Sequence, residues 1–159
     1  NKGMAWGAQI NDFIPFLTEK SGKLFLTLFR LFAILFIFHW LKKTVQENSS
    51  MLFSISLSLI LAGAIGNVVD SVFYGYFFTD SYFQIASFAP GDGYSSLFYG
   101  NVVDMFQFPL ATWTWPSFIP VIGGNEFTFF EPVFNIADSA ISVGIFIMLI
   151  FNKSFFKEN

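Results

Sequence analysis

Carboxyl groups near the ends of apolar segments are the side chains whose type and spacing suggest catalysis in this chain. Asp70 closes a long apolar stretch, Asp104 lies in a segment without Lys or Arg, and Asp138 opens another apolar stretch. Ionisable groups at membrane depth are costly and usually face a cavity or mark a functional site. Two adjacent carboxyls hold one proton between them, because both cannot easily ionise. Such a pair supplies one base and one acid, the combination with which aspartic proteases activate water and protonate a leaving amine.

Each of these acids also has a purely structural interpretation. Asp138 follows Asn135, a good helix N-cap, by three residues, so it could be a favourable first-turn carboxylate. Asp70 follows Asn67 by three residues, so the two could form a hydrogen-bonded pair on one helix face. Asp104 could simply be solvated. Spacing alone suggests a carboxylate site and leaves these alternatives open.

The composition indicates that membrane-spanning helices position these groups. The chain is 54% hydrophobic and only 12% charged, and it contains 25 Phe. A helix needs about 20 mostly apolar residues to cross a hydrocarbon core of roughly 30 Å. Three stretches meet or approach this length, at residues 24–41, 51–72 and 136–151. The sequence therefore predicts a polytopic α-helical membrane protein, with residues 1–159 in one membrane-embedded domain.

The distribution of Lys and Arg predicts the orientation of these spans. Lys42 and Lys43 lie between the first two spans, and Lys153 and Lys157 follow the third. Residues 44–152 contain neither Lys nor Arg. Positive residues near span ends are retained on the cytoplasmic side. The N-terminus is therefore expected outside and the C-terminus inside. The chain starts at an Asn with no signal peptide, which leads us to expect a further, upstream span.

Two outside segments are expected, at residues 1–22 and 73–132. The first is predicted to contain a short strand and an interfacial helix. The second is too long for a simple loop, and "NVVDMFQFPLATW" has the composition of a strand, so we expect a small β-rich platform on the membrane surface. The pentapeptide "GNVVD" occurs twice, at 66–70 in a helical context and at 100–104 in a predicted strand, so the copies are expected to have different roles.

Several kinds of site are excluded or poorly supported. The absence of Cys rules out disulfides, zinc thiolate sites and cysteine nucleophiles. His39, at the cytoplasmic end of the first span, is about a membrane thickness from the outer acids, so a Ser-His-Asp arrangement is not available. With one misplaced His, no metal site is expected, and no organic cofactor is required. No basic patch predicts nucleic-acid binding.

Three motifs carry a resemblance to a known family. "GAIGNVVDS" (63–71), "GNVVDMF" (100–106) and "PVFNIADSAISVG" (132–144), in this order, resemble the motifs of lipoprotein signal peptidases, also called signal peptidase II. "NKGMAWG" at the start resembles the family's Asn-x-Gly-x-Ala-aromatic motif, which normally follows its first transmembrane helix. The resemblance covers nearly the whole chain and also indicates an upstream span.

The resemblance implies an aspartic endopeptidase of the bacterial inner membrane, with its active site on the periplasmic side. Such an enzyme cleaves a diacylglyceryl-modified prolipoprotein just before the lipidated Cys, acts as a monomer among membrane lipids, and is inhibited by a cyclic peptide such as globomycin. Asp104 and Asp138 would be the catalytic pair. The motifs also assign substrate contacts or polar support around that pair to Asn1, Gly3, Asn67, Asp70 and Asn135.

The sequence departs from the family pattern after Asp70. The family often has Arg at the next position, whereas this chain has Ser71. Arg30 lies roughly 10 Å deep in the first span, and its long side chain could snorkel outward to replace that cation. The alternatives are that Arg30 pairs elsewhere or simply snorkels. A second departure concerns the family's first helix, which carries an Asp and a Lys. We expect this helix upstream of this sequence.

A different class of function remains as an alternative on sequence grounds. A non-enzymatic polytopic protein, such as a small transporter or assembly subunit, could use buried acids for protons or partner contacts. A transporter would be expected to show broken helices or inverted halves, and the sequence indicates neither. An intramembrane protease with a Gly-x-Gly-Asp motif is not supported, because the nearest match, "PGDG", has the wrong order.

Overall fold

A computed structural model of the protein describes residues 18–130 and 133–155, with side chains described as far as residue 151. The predicted N-terminal strand, Asn1 and Gly3 lie outside the described residues, as does most of the predicted interfacial helix. Residues 19–22, at the end of that predicted helix, belong to the first described helix.

The first described helix, α1, spans Glu19–Gln46 and is longer than the apolar stretch that predicts it. Thr18 caps it, since its Oγ1 accepts a hydrogen bond from the Ser21 N–H at 3.2 Å. Hydropathy marks only the apolar middle, at residues 24–41, whereas Lys, Glu and Gln are good helix formers and extend the helix at both ends. Phe25 and Phe32 on α1 are 57% and 68% exposed, which suits contact with lipid rather than with water.

The second helix, α2, spans Met51–Val69 and continues through a π-helical stretch at Asp70–Tyr74 into a short helix, α3, at Gly75–Phe77. The continuous helix Met51–Phe77 is five residues longer than the predicted span 51–72. Backbone carbonyls along its end accept bonds from the returning chain: Gly100 N–H donates to the Ser71 carbonyl at 2.9 Å and Phe98 N–H to the Val72 carbonyl at 3.0 Å. The loop after the helix is thus attached to its end by main-chain bonds.

The last helix, α4, spans Ile136–Phe155 and begins at the predicted residue. Within the described ranges, two helices are long and apolar enough to cross a membrane, Glu19–Gln46 and Met51–Phe77. The apolar part of α4, Ile136–Phe151, is shorter than that limit. Length and composition therefore support two spans and do not establish the predicted third.

Helices α2 and α4 pack closely because glycines lie at their contact. A Cβ at Gly63 would clash with the Ala137 carbonyl oxygen and lie 2.7 Å from Ile141 Cγ1. A Cβ at Gly144 would lie 2.7 Å from the Ser56 carbonyl oxygen. Small residues at these two positions allow the helix backbones to approach closely.

The chain divides into two compact units, of which residues Asp104–Asn135 form the second. This unit contains strand β1, Ala111–Thr114, paired antiparallel with β2, Glu126–Phe129. An isolated bridge joins Phe106 to Phe134.

The predicted strand around the second pentapeptide is wrong, because residues 101–110 form no strand and the regular β structure begins at Ala111. Near the pentapeptide, side chains accept two of the main-chain N–H groups: Asn101 N–H donates to the Tyr94 hydroxyl and Val103 N–H to Asp70 Oδ2. Further along, the Met105 and Phe106 N–H groups both donate to the Phe134 carbonyl. Strand propensity was overridden by these tertiary bonds. The predicted β-rich platform is correspondingly reduced, in the described part, to one two-stranded sheet and isolated bridges.

Candidate active site

Asp138 lies in the first turn of α4 and is bonded to a residue of α2. Asn67 Nδ2 donates to Asp138 Oδ1 at 2.9 Å. Asn67 is one helical turn beyond Gly63, on the face where α2 and α4 are in closest contact. Tertiary structure thus joins two predicted site residues that are far apart in sequence. The bond directs one carboxylate oxygen of Asp138 toward α2.

Asp104 lies in the second unit and has a matching partner there. Asn135 Nδ2 donates to Asp104 Oδ1 at 3.2 Å, and Asn135 is only 5% exposed. Asp104 itself is half-buried. A half-buried carboxylate with a buried amide donor does not fit the interpretation of Asp104 as a simply solvated acid. Each predicted catalytic acid is therefore oriented by the side-chain amide of an Asn from one of the motifs.

Asp70 connects the two copies of the pentapeptide. Its Oδ2 accepts a hydrogen bond from the Val103 N–H at 3.1 Å. A Cβ at Gly100 would lie 2.5 Å from the Asp70 carbonyl oxygen, so the glycine of the second copy lies directly against the end of the first. The first copy lies in a helix and the second in irregular structure. Their contact was not predicted: Asp70 holds the backbone of the second copy immediately before Asp104.

Arg30 reaches the position at which the sequence departs from the family pattern. Its Nη1 donates to Ser71 Oγ at 3.0 Å, and the Ser71 hydroxyl donates to the Asn67 carbonyl at 2.9 Å. The Asp138 carboxylate also attracts the Arg30 guanidinium electrostatically. The Arg30 guanidinium thus reaches Ser71, in the same unit as Asp138.

Two further residues hold the loop before Asp104 and were missed by sequence reasoning. Lys23 Nζ donates to Asn101 Oδ1 at 2.6 Å and to the Tyr99 carbonyl at 3.0 Å, while the Tyr94 hydroxyl accepts from the Asn101 N–H at 2.6 Å. Burial raises the pKa of the Tyr94 hydroxyl above its ordinary value, against the opposing effect of the Asn101 hydrogen bond. A Lys at the start of an apolar stretch is expected to snorkel, so no local signal points to its partners.

The donor groups of the described residues do not suggest a metal centre. Within residues 18–130 and 133–155, no cluster of three or more His, Asp or Glu side chains could hold a metal ion. The carboxylates Asp104 and Asp138 are instead each bonded to an amide donor, an environment suited to general acid–base chemistry.

Comparison with known proteins agrees with the resemblance read from the motifs. A family model described as Signal peptidase (SPase) II matches residues 1–154. A lipoprotein signal peptidase of Porphyromonas gingivalis is 48% identical over 152 residues, covering 94% of this chain and 63% of the relative. A lipoprotein signal peptidase of Amoebophilus asiaticus is 35% identical over 151 residues, covering 94% of this chain and 57% of the relative. The chain thus spans less than two thirds of the length of these relatives. No solved structure matches it.

Proposed function

This chain belongs to the signal peptidase II family, and we propose that it acts as an aspartic endopeptidase that removes signal peptides from prolipoproteins. The observation that best supports this proposal is that the side chain of each predicted catalytic acid is hydrogen-bonded to an Asn amide. Asp104 and Asp138 each accept a hydrogen bond from a motif Asn, at 3.2 Å and 2.9 Å respectively. A fixed carboxylate orientation is what proton transfer to and from a reacting group requires.

The proposed reaction pairs Asp104 with Asp138, as the family resemblance implies. One carboxylate takes a proton from water, and the water oxygen attacks the carbonyl carbon of the scissile peptide bond. The other carboxyl, which is protonated, gives its proton to the amide nitrogen as the carbon–nitrogen bond breaks. The products are a free signal peptide and a new amino terminus, and the pair returns to one shared proton.

The proposed substrate is a diacylglyceryl-modified prolipoprotein, cleaved before its lipidated Cys at the periplasmic face of the inner membrane. We place α1, α2 and α4 in the bilayer, with Asp138 at the outer end of α4. The signal segment would enter laterally between the helices while the acyl chains stay in lipid. The exposed Phe side chains of α1 support lipid contact at this surface.

The assignment is tested by converting Asp104 and Asp138 separately to Asn in the full-length protein and measuring cleavage of a lipidated substrate. Each variant should lose at least about 10²-fold in kcat, because general acid–base catalysis contributes roughly 10²- to 10⁴-fold. Asp92→Asn, at an exposed acid, is the matched control and should retain activity. Full activity in either the Asp104 or the Asp138 variant would overturn the proposed pair.

A second experiment addresses the geometry of the pair. An experimental structure of the full-length protein with a cyclic peptide inhibitor of the globomycin type would give the separation of the Asp104 and Asp138 carboxyls. Proton sharing needs close approach, so a separation beyond about 10 Å in the closed state would argue against the mechanism.

A further inference from the structure

We propose that Arg30 is a positioning residue for Asp138. Acting through Ser71 and Asn67, it holds the Asp138 carboxylate in the orientation that proton transfer requires. This inference rests on the proposed function and adds to it a charged group on a different helix.

Three hydrogen bonds connect Arg30 to Asp138 by way of Ser71 and Asn67. Arg30 Nη1 donates to Ser71 Oγ at 3.0 Å, and Ser71 Oγ donates to the Asn67 carbonyl at 2.9 Å. The side-chain amide of the same Asn67 donates to Asp138 Oδ1 at 2.9 Å. The set therefore connects α1, the end of α2 and the first turn of α4 within one compact unit.

Ser71 serves as the adapter in this set. It is 3% exposed, and its hydroxyl accepts from Arg30 while it donates to the carbonyl four residues earlier. A serine hydroxyl has one donor and two acceptor positions, so it can make both bonds at once. The backbone and the side chain of Asn67 are thus tied at one end to Arg30 and at the other to Asp138.

The position of Arg30 in an apolar helix is itself informative. Residues 24–41 of α1 contain no other Lys, Arg, Asp or Glu. A charge in such a stretch costs several kcal/mol unless it is paired or reaches water, so charged residues at this depth usually serve a purpose. The planar guanidinium has five N–H donors in a fixed fork and can serve several acceptors together. A half-buried Arg bonded to Ser71 suits this function better than plain snorkelling.

The test removes the Arg30 charge and the Ser71 hydroxyl separately and together in the full-length protein. We compare Arg30→Met, Arg30→Lys, Ser71→Ala and the double variant Arg30→Met/Ser71→Ala, measuring kcat and KM for a lipidated substrate. Arg30→Met and Ser71→Ala should each reduce kcat by about 10²-fold with little change in KM, because misplacement of a catalytic group slows the chemical step. Arg30→Lys should retain part of the activity.

The double variant provides the sharpest result. Arg30 Nη1 is 3.0 Å from Ser71 Oγ, so loss of either group breaks the same connection to Asn67. The double variant should therefore lose about as much kcat as Arg30→Met alone, because residues in one hydrogen-bond network are not additive. Lys43→Met is the matched control on α1, since Lys43 is 64% exposed and pairs with Glu47, and it should leave kcat and KM unchanged.

The outcomes separate this inference from the proposed function. If Arg30→Met folds and keeps the original kcat, the inference is overturned. If the losses of Arg30→Met and Ser71→Ala multiply in the double variant, the two residues act separately and the inference is again overturned. If Arg30→Met unfolds, full kcat in Ser71→Ala overturns the inference. If the Asp104 and Asp138 variants are both fully active, the proposed function itself fails.

Discussion

Replacement of Gly63 by Ala tests whether the close approach of α2 and α4 maintains the candidate site. A Cβ at this position would clash with the Ala137 carbonyl oxygen and lie 2.7 Å from Ile141 Cγ1. Carbon atoms in favourable contact are about 3.5 Å or more apart. Helix α4 must therefore move away from α2 by on the order of 1 Å, since the first of these contacts is to backbone and cannot rotate aside.

The consequence for Asp138 follows from the geometry. Asn67 lies one turn after Gly63 on the same helix face, and its amide is 2.9 Å from Asp138 Oδ1. A displacement of about 1 Å lengthens this distance to roughly 3.9 Å, which is no longer a hydrogen bond. Misplacement of a catalytic group by about 1 Å costs on the order of 10²-fold in rate. Overpacking should also lower the free energy of unfolding by about 1–3 kcal/mol.

The assay measures kcat on a lipidated substrate and thermal unfolding of the full-length protein in detergent. Gly66→Ala is a matched control, because its Cβ would meet only the Ala137 Cβ, at 3.2 Å, and small adjustments relieve that contact. We expect Gly63→Ala to be strongly impaired and Gly66→Ala to be mildly affected. Equal activity and stability in both variants would refute the reasoning that close packing at Gly63 holds Asn67 against Asp138.

The remaining predictions concern the loop that precedes the second acid. Asp70→Asn removes the charge from the acceptor of the Val103 N–H, so we expect about a tenfold loss of activity and a lower melting temperature. If Asp70→Asn were inactive while Asp104→Asn remained active, the roles assigned to the two pentapeptides would be reversed. Tyr94→Phe removes the acceptor of the Asn101 N–H and should cost about 1–3 kcal/mol in chemical unfolding. Burial raises the pKa of Tyr94, so its contribution to stability is complete below its ordinary pKa of about 10 and is lost as the pH rises through the folded value. Unfolding curves of Tyr94→Phe should lack this loss of stability at alkaline pH. An equal loss in the wild-type protein and in Tyr94→Phe would show that Tyr94 is not its cause.

The sequence predicted the helices well because a membrane-spanning helix is a local property. Its backbone groups are satisfied within the segment, so apolar composition and length suffice to locate it. The start of α4 at Ile136 and the continuous helix from Met51 follow this rule. The ends of α1 and α2 were underestimated, since polar and aromatic residues continue a helix beyond its apolar part.

The predicted strand at the second pentapeptide failed for a complementary reason. Residues 101–103 have strand-forming composition, but the Asn101 N–H bonds to the Tyr94 hydroxyl and the Val103 N–H bonds to the Asp70 carboxylate. Strand formation depends on a neighbouring strand being available, and composition does not reveal which group a main-chain N–H will find. Lys23 was missed likewise, because its partner Asn101 is 78 residues away.

The sequence by itself determined the membrane class, the family, the helices and the acids and amides around which a site could form. Tertiary structure decided which of them meet: Asn67 with Asp138, Asp70 with Val103, and Arg30 with Ser71. The motifs specify residue types and their order, and this information is enough to predict helices and caps, which form within one segment. Bonds between helices depend on the distance and rotation at which the helices pack, and a single glycine contact at Gly63 can set both.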